Sequence, residues 1–241
     1  MVIPAIIEIT QFEVIAEEIE DNISCEDCGL TANNTYLASN SEYVLFAVKP
    51  QSSQEILSSI SSAINSNCVI SIMAGITIKK LQSYLGNRNY ARIMPNTPVF
   101  VNEGMSVVSF SEGFRDEFVL DIFKCIGKVL ELNESYLNSV TALSGSGPAY
   151  VYMFIKALID GGVKCGLDES TAKTLAIQTV IGSATMVEKS PLDIDTLINN
   201  VCSKGGTTIQ AVNSYKEDDL EGIVIKGMEK CKARAEELGK E

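Results

Sequence analysis

The sequence of 241 residues contains no histidine. This absence excludes Ser-His-Asp and Cys-His catalysis, HExxH zinc sites and pH switching by an imidazole. Any proton donor or base in this protein must therefore be Lys, Tyr, Cys, Ser, Thr, a carboxylate or water.

Basic residues and long apolar runs are also scarce. There are 19 Lys and Arg against 31 Asp and Glu, giving a net charge of −12, so we expect no binding to the phosphate backbone of a nucleic acid. No apolar run approaches about 18 residues, so we expect no membrane span. The first residues lack the basic segment of a signal peptide, and the seven cysteines are an odd, scattered set. We therefore expect a cytoplasmic protein with reduced thiols.

Two of the cysteines form the spacing Cys25-Glu26-Asp27-Cys28. Such a pair can be redox-active or can supply half of a zinc site. With no histidine and no second CxxC, a four-ligand site would need distant cysteines. We interpret the pair as incidental surface cysteines and predict no metal site.

The first half of the chain alternates strand-like and helix-like segments. We predict strands at 5–10, 43–48, 68–73, 91–94, 104–110 and 127–132, and helices at 12–23, 54–64, after Thr77, and at 115–126. This alternation, with short connections, favours a parallel α/β sheet. Ligands of such sheets bind beyond the carboxyl ends of the strands.

The pattern changes after about residue 134. Residues 148–163 are apolar nearly all round, which predicts a helix that is buried on several sides. Further helices are predicted at 171–189, capped by Ser170, and at 192–200 and 218–239. We predict an α/β domain over 1–134 and an all-α domain over 135–241, whose apolar helices are buried in a dimer interface.

Four segments have the composition of ligand-binding loops. They are Ala47-Val48-Lys49-Pro50, Met94-Pro95-Asn96-Thr97-Pro98, Leu143 to Tyr150 (LSGSGPAY), and Cys202 to Thr208 (CSKGGTT). The last of these precedes a predicted helix start, where amides and hydroxyls can bind a carboxylate or a phosphate. Gly-Ser loops before helices are more often plain caps and turns, so composition alone does not decide between the two readings.

Taken together and in this order, the segments resemble the pyrroline-5-carboxylate reductase family. The resemblance runs from about Thr31 to the C-terminus and includes Thr141 to Tyr150 (TALSGSGPAY), Asp160 to Lys164 (DGGVK) and Ser203 to Thr208 (SKGGTT). It implies reduction of the C=N bond of 1-pyrroline-5-carboxylate to L-proline with NADPH or NADH, in the last step of proline biosynthesis. It also implies a Rossmann domain and a helical domain that forms an interleaved homodimer, often within a decamer.

The resemblance implies roles for particular residues. Thr208 would hydrogen-bond the ring nitrogen, Lys49 would lie at the active site, and the helical half of the site would come from the partner subunit. Substrate contacts are expected from Ser144, Ser203, Gly205, Gly206, Thr207 and Thr208. Cofactor contacts are expected from Asn34, Ala47, Val48, Lys49, Pro50, Ala74, Gly75, Asn96, Thr97 and Pro98.

The sequence departs from the family at its beginning. Family members start with a strand and a Gly-x-Gly-x-x-Gly turn that approaches the pyrophosphate, and this sequence contains no such turn. We therefore expect that the first βα unit is missing and that residues 5–10 are the second Rossmann strand. Lys204 stands where the family usually has Pro, and Asn199 where it usually has Asp. Thr10-Gln11 carries neither an Arg for a 2′-phosphate nor an acid for a ribose diol, so NADPH is only the family default.

Two alternatives remain open at this point. A truncated or non-catalytic paralogue could dimerise through the helical domain without binding a dinucleotide. A reductase of the same architecture acting on a hydroxy acid would depend on a catalytic lysine of the helical domain, such as Lys156 or Lys164, although the Gly-Gly-Thr-Thr loop favours an imine substrate.

Overall fold

The computed structural model describes residues 13–15, 33–65 and 68–240, which divide into two compact units. The α/β unit comprises the described residues up to 146 together with 230–240, and the helical unit comprises 147–229. In the α/β unit the strands are β1 Glu13–Ile15, β2 Tyr43–Phe46, β3 Cys68–Ser71, β4 Tyr90–Met94, β5 Gly104–Phe110 and β6 Gly127–Glu131. Its helices are α1 Asn34–Asn40, α2 Ser53–Ile60, α3 Ile78–Leu85, α4 Glu117–Lys124 and α5 Leu137–Val140.

The six described strands form one sheet in the order in which they follow along the chain. Strands β1 to β4 are parallel, β5 is antiparallel to β4, and β6 is parallel to β5. The antiparallel step was not foreseen in the expectation of a parallel sheet. It follows from the short connection between Met94 and Gly104, since a parallel crossover needs a dozen or more residues.

The prediction of a helix over 12–23 is wrong where the structure describes that segment. Residues 13–15 pair with β2 in the register Glu13↔Val44, Val14↔Leu45 and Ile15↔Phe46. The short segment gains backbone hydrogen bonds along β2 that local helical spacing cannot offer. The predicted strand at 5–10 and the Cys25/Cys28 pair lie outside the described residues.

The core of the α/β unit has two layers because successive strand residues face opposite sides of the sheet. Val44, Phe46 and Val69 pack with Leu57 and Leu81 of α2 and α3 on one side. On the other side, the layer contains Leu45, Ile70, Ile93, Val108, Val119, Ile122 and Phe123. Helices on both faces explain why the strands read as continuous apolar runs.

A buried arginine connects the sheet to the segment that leaves it. Arg92 of β4 is 3% exposed, and its guanidinium donates to Glu134 Oε1 at 3.1 Å. The same carboxylate oxygen accepts the backbone N–H of Ile78 at 2.7 Å, at the start of α3. Burial lowers the pKa of Arg92, and the neighbouring charge of Glu134 opposes that shift. One carboxylate thus joins β4, α3 and the chain before α5.

The helical unit is built from α6 Gly147–Lys164, α7 Glu169–Lys189, α8 Ile194–Val201, α9 Thr207–Glu217 and the first half of α10 Leu220–Leu238. Helices α6 and α7 pack closely at Gly162, where an added Cβ would lie 3.1 Å from the Cβ of Ala172. The cap of α7 is Asp168, which accepts from Thr171 N–H at 3.0 Å, rather than the predicted Ser170. No described helix is long and apolar enough to cross a membrane.

The helical unit exposes many large apolar side chains in this single chain. Met153, Val201 and Ile223 are 73%, 67% and 62% exposed. Helix α6 has no buried residue at all, although most of its side chains are apolar. So much apolar surface on one unit is typical of a face that another protein surface covers.

The order of the two units along the chain, an α/β unit followed by helices, agrees with the fold class expected from the sequence.

We predict that Arg92→Ala lowers the free energy of unfolding by about 3 kcal/mol, because it leaves the Glu134 carboxylate without its cation. Urea denaturation monitored by circular dichroism measures this change. Arg115→Ala is the control, since Arg115 pairs with Glu117 and Glu131 at the surface and its loss should change stability little. Equal effects of the two substitutions would contradict this account.

Candidate active site

The predicted cofactor loops follow three neighbouring parallel strands. Ala47 to Pro50 follows β2, Ala74-Gly75 follows β3, and Asn96 to Pro98 follows β4. Because β2, β3 and β4 are parallel and adjacent, their carboxyl ends lie at one edge of the sheet. The structure therefore places these three loops at the position where an α/β sheet binds its ligand.

The loop after β2 offers one exposed cation on a fixed backbone. Val48 is 4% exposed and belongs to the core, whereas Lys49 is exposed. A 3₁₀ turn over Pro50–Ser52 begins at Lys49, whose carbonyl accepts Ser52 N–H at 3.0 Å. The Ser53 hydroxyl donates to the Pro50 carbonyl at 2.7 Å. Val48 can thus offer a ligand only backbone groups, while Lys49 can offer its ammonium.

The loop after β3 is held by a close backbone contact. Gly75 has φ +79°, a conformation that favours glycine. A Cβ at this position would lie 2.9 Å from the carbonyl oxygen of Ala235, 3.0 Å from Leu238 Cβ and 3.1 Å from Gly239 N. The loop therefore packs directly on the last turns of α10.

Asn96 joins the loop after β4 to the LSGSGP segment. Its Nδ2 donates to the Ser144 carbonyl at 3.2 Å and approaches the Ser144 hydroxyl at 3.4 Å. Its Oδ1 accepts Met105 N–H at 2.9 Å. Beside it, Thr97 is exposed and begins a 3₁₀ turn that runs to Val101. Two segments predicted separately, one for cofactor and one for substrate, are thus in contact through Asn96 and Ser144.

Ser144 lies in a π-helical turn, Thr141–Gly145, that leads into α6. The Ser146 N–H bonds the Thr141 carbonyl at 2.8 Å and closes this turn. A Cβ on Gly145 would come within 2.6 Å of Cε at the end of the flexible Met94 side chain, so the turn lies against the end of β4. Wide turns of this kind are frequent at functional sites, although sequence periodicity gives no signal for them.

Asn34 is the first residue of α1 and is half-buried. Its neighbour Asn33, not singled out from the sequence, caps that helix by accepting Tyr36 N–H at 3.0 Å. The position of an Asn directly before a helix is the usual sign of such a cap. The described contacts assign the capping task to Asn33 and leave the expected role of Asn34 a prediction.

The Ser203 to Thr208 segment belongs to the helical unit and forms a tight turn before α9. Gly206 N–H bonds the Ser203 carbonyl at 2.9 Å, and Gly205 has φ +74°. A Cβ on Gly206 would lie 2.3 Å from Ser203 Oγ, so any larger residue here requires the Ser203 side chain to rotate away.

Among the described residues, no side chain caps the first turn of helix α9. These N–H groups and the helix dipole favour an anion at this position. The hydroxyls of Thr207 and Thr208 lie in the same turn, with Thr207 exposed and Thr208 half-buried. This combination suits a carboxylate flanked by a hydrogen-bonding group.

The α/β unit has features that suit the binding of a nicotinamide dinucleotide, except at the pyrophosphate. Adjacent strand ends, a glycine with positive φ and the exposed Lys49 and Thr97 are features that such a cofactor uses. The Gly-x-Gly-x-x-Gly turn that would hold the pyrophosphate does not occur in the printed sequence. Among the described residues, no group of three metal-ligating side chains comes together.

Comparison with known proteins identifies the family. A family description for pyrroline-5-carboxylate reductase dimerisation matches residues 134–238, and one for NADP oxidoreductase, coenzyme F420-dependent, matches residues 9–75. The chain is 40% identical over 209 residues to pyrroline-5-carboxylate reductase of Escherichia coli, covering 85% of this chain and 78% of that protein. The Arabidopsis thaliana protein of the same name is 39% identical over 202 residues, covering 82% and 73%. This chain belongs to the pyrroline-5-carboxylate reductase family.

Solved structures of the family agree with the fold. The Plasmodium falciparum pyrroline carboxylate reductase with NADP bound matches with a TM-score of 0.88 and 32% identity, covering 94% of this chain and 87% of that chain. The Streptococcus pyogenes 1-pyrroline-5-carboxylate reductase matches with a TM-score of 0.82 and 28% identity, covering 86% and 80%. These matches confirm the expected Rossmann-like domain followed by a helical domain.

We predict that Asn96→Asp lowers the free energy of unfolding by about 1–3 kcal/mol, because a carboxylate cannot donate to the Ser144 carbonyl. It still accepts Met105 N–H, so β5 should stay paired. Thermal and urea unfolding measure the loss. Asn102→Asp, at an exposed left-handed position after the 3₁₀ turn, is the matched control and should change little. An unchanged Asn96→Asp protein would show that the bond to Ser144 does not hold the π-helical turn.

Proposed function

We propose that this protein reduces 1-pyrroline-5-carboxylate to L-proline with NADPH or NADH. The observation that carries the proposal is the 35–40% identity to pyrroline-5-carboxylate reductases over more than 80% of the chain. The uncapped start of α9 supports it, because the substrate carries one carboxylate. No observation favours the alternatives of a non-catalytic dimer or of a hydroxy-acid reductase.

The substrate carboxylate binds at the α9 start in this proposal. Backbone N–H groups of Gly205 and Thr207 are the expected donors to the anion, and the Ser203 hydroxyl adds a further donor. Gly206 contributes the turn itself, because its own N–H is bonded to the Ser203 carbonyl. Hydrogen bonds from several N–H groups to one carboxylate are stronger than neutral ones and fix its orientation. Lys204 adds a positive charge beside the same turn. Asn199 is neutral where the family usually has a negatively charged Asp. Neither departure from the usual family residues removes a donor.

The ring nitrogen of the substrate is bonded by Thr208. A hydroxyl can accept from a protonated imine nitrogen and donate to the amine that forms. Protonation of the imine makes its carbon more electrophilic, so no strong protein acid is required, consistent with a chain that has no histidine. We propose that Ser144 lines the reacting ring and that the Thr208 turn beside it comes from the partner subunit. Asn96 donates to the Ser144 carbonyl and so holds Ser144 in place.

When bound, NADPH or NADH supplies the hydride that is added to the imine carbon. We propose that Asn34, the Ala47 to Pro50 loop, the Ala74-Gly75 loop and the Asn96 to Pro98 loop hold this cofactor. Lys49 contributes its charge to the active site, and Thr97 a hydroxyl. For each L-proline formed, one hydride and one proton are consumed.

The two proposed functions, cofactor binding and dimerisation with substrate binding, separate where the sequence pattern changes near residue 134. We propose a dinucleotide-binding domain over 1–134 and a dimerisation and substrate domain over 135–241, supported by the family match that begins at residue 134. We propose that the helical domain self-associates into a homodimer; the decamer that the family resemblance implies stays a prediction. The five described cysteines are unpaired thiols, which supports a cytoplasmic location.

We predict that Thr208→Val lowers kcat/KM for 1-pyrroline-5-carboxylate by about tenfold to a hundredfold, because it removes a hydrogen bond at the reacting nitrogen. Thr208→Ser should restore most of the activity. Cofactor oxidation followed by absorbance measures the rate. Thr174→Ala on the exposed face of α7 is the control and should match the parent chain. A parent chain that binds neither cofactor nor substrate would refute the proposed function.

We predict that Ile223→Glu shifts the protein toward the monomer, since it places a charge on an apolar position that a partner covers. Light scattering coupled to size exclusion gives the mass directly. Leu130→Glu, a matched exposed apolar position on β6, should leave the oligomer intact. A parent chain that runs as a monomer at micromolar concentration would contradict the proposed self-association.

A further inference from the structure

The last turns of α10 contact two loops that the proposed function places in the active site. Gly75, in the loop after β3, meets Ala235, Leu238 and Gly239. Ser146, at the end of the π-helical turn, has its Oγ 3.2 Å from Cys231 Sγ. Residues 231, 235 and 238–239 recur every three to four positions, so they form one face of the helix. We call this face the α10 brace.

The contact between Gly75 and Gly239 involves backbone atoms on both sides. A Cβ on Gly239 would lie 2.7 Å from the Gly75 carbonyl oxygen, and a Cβ on Gly75 would lie 2.9 Å from the Ala235 carbonyl oxygen. Both distances are shorter than real Cβ contacts. A side chain on either residue must therefore push the two segments apart.

The loop cannot easily yield by changing its own conformation. Gly75 already has φ +79°, and Ile76 on its C-terminal side is 1% exposed. On its N-terminal side, Met73 is 3% exposed and its N–H bonds the Ser71 hydroxyl at 3.3 Å. With both flanks packed in the core, a push at Gly75 displaces the short segment Ala74-Gly75 itself.

We infer that the α10 brace fixes the Ala74-Gly75 loop in its cofactor-binding conformation, and that Gly239 is a positioning residue for the cofactor. This inference rests on the proposed function. Gly239 itself does not touch the cofactor. It acts because its lack of a side chain lets α10 support the Gly75 backbone at contact distance.

The test is Gly239→Ala in the full chain. We expect the Kd for NADPH, measured by calorimetry without substrate, and the KM for NADPH to rise about tenfold. We expect kcat and the KM for 1-pyrroline-5-carboxylate to stay within about twofold, since the groups at the α9 start are unchanged. Ala233→Ser is the control near the same end of α10, at an exposed position on the face opposite the brace.

A second variant removes the contact without adding atoms. Ending the chain after Leu238 takes away Gly239 and should raise the Kd for NADPH in the same way, even if Gly239→Ala folds poorly. An unchanged Kd for NADPH in both variants would overturn the inference. A lower kcat and a lower thermal midpoint together with a rise of both KM values would also overturn it, because that pattern marks a general loss of structure.

The design separates this inference from the proposed function. Calorimetry of NADPH needs no turnover, so it reports on the brace even if the parent chain reduces a different imine. If the parent chain binds NADPH but does not reduce 1-pyrroline-5-carboxylate, the proposed function fails and the Kd values of the variants still decide the inference. If the parent chain binds no NADPH, the inference is overturned as well, because the loop then has no cofactor-binding conformation to be fixed.

Discussion

The α/β unit depends on one buried ion pair that brings together three segments distant in sequence. Arg92 would be costly to bury alone, and Glu134 both neutralises it and accepts the N–H at the start of α3. Asn138 adds a weaker contact to the same guanidinium at 3.4 Å. Because Glu134 directly precedes α5 and the π-helical turn, the pair also sets where the chain leaves the sheet. The position of Ser144 therefore follows from a contact made by a different residue ten positions earlier in the chain.

In the loops at the strand ends, backbone groups and the Asn96 amide fix the conformation of the loops. Few side chains of these loops are exposed to a ligand. Asn96 uses both ends of its amide within the protein, one on β5 and one on Ser144. Val48 is committed to the core, and Gly75 to its contact with α10. Lys49 and Thr97 are exposed polar side chains at this edge. A chain without histidine can build such a site, because the site has to position its ligands with charged and polar groups and does not need a strong acid.

Much of the fold could be predicted from local patterns. Strand β5 agrees with its predicted bounds, and α3 begins after Thr77 as predicted, with Thr77 accepting Lys80 N–H at 3.1 Å. Segments that depend on distant partners could not be predicted. Residues 13–15 have helical spacing of apolar residues in their surroundings, yet they pair with β2. The short helix α1 buries only Leu37 and Ala38, which is too few for a periodic signal.

The candidate site shows the same limit. Family motifs identified the loops, but not the bonds between them, since Asn96 and Ser144 lie 48 residues apart. The contact of Gly75 with Gly239 has no sequence signature either, because glycine at a helix end is ordinarily only a cap. Residues with unusual chemistry can be found from one sequence. Glycines whose lack of a side chain permits a close backbone contact cannot.

The uncapped first turn of α9 has a thermodynamic consequence. No described side chain caps its N–H groups, and Gly206 before them brings the conformational freedom of glycine. A bound carboxylate would therefore supply the cap that the sequence omits, so occupancy of the turn and order of the helix become linked equilibria. Any anion that fits this turn would raise the resistance of the helical unit to unfolding in proportion to the logarithm of its concentration once saturation is exceeded. The ligand thus becomes part of the secondary structure that binds it.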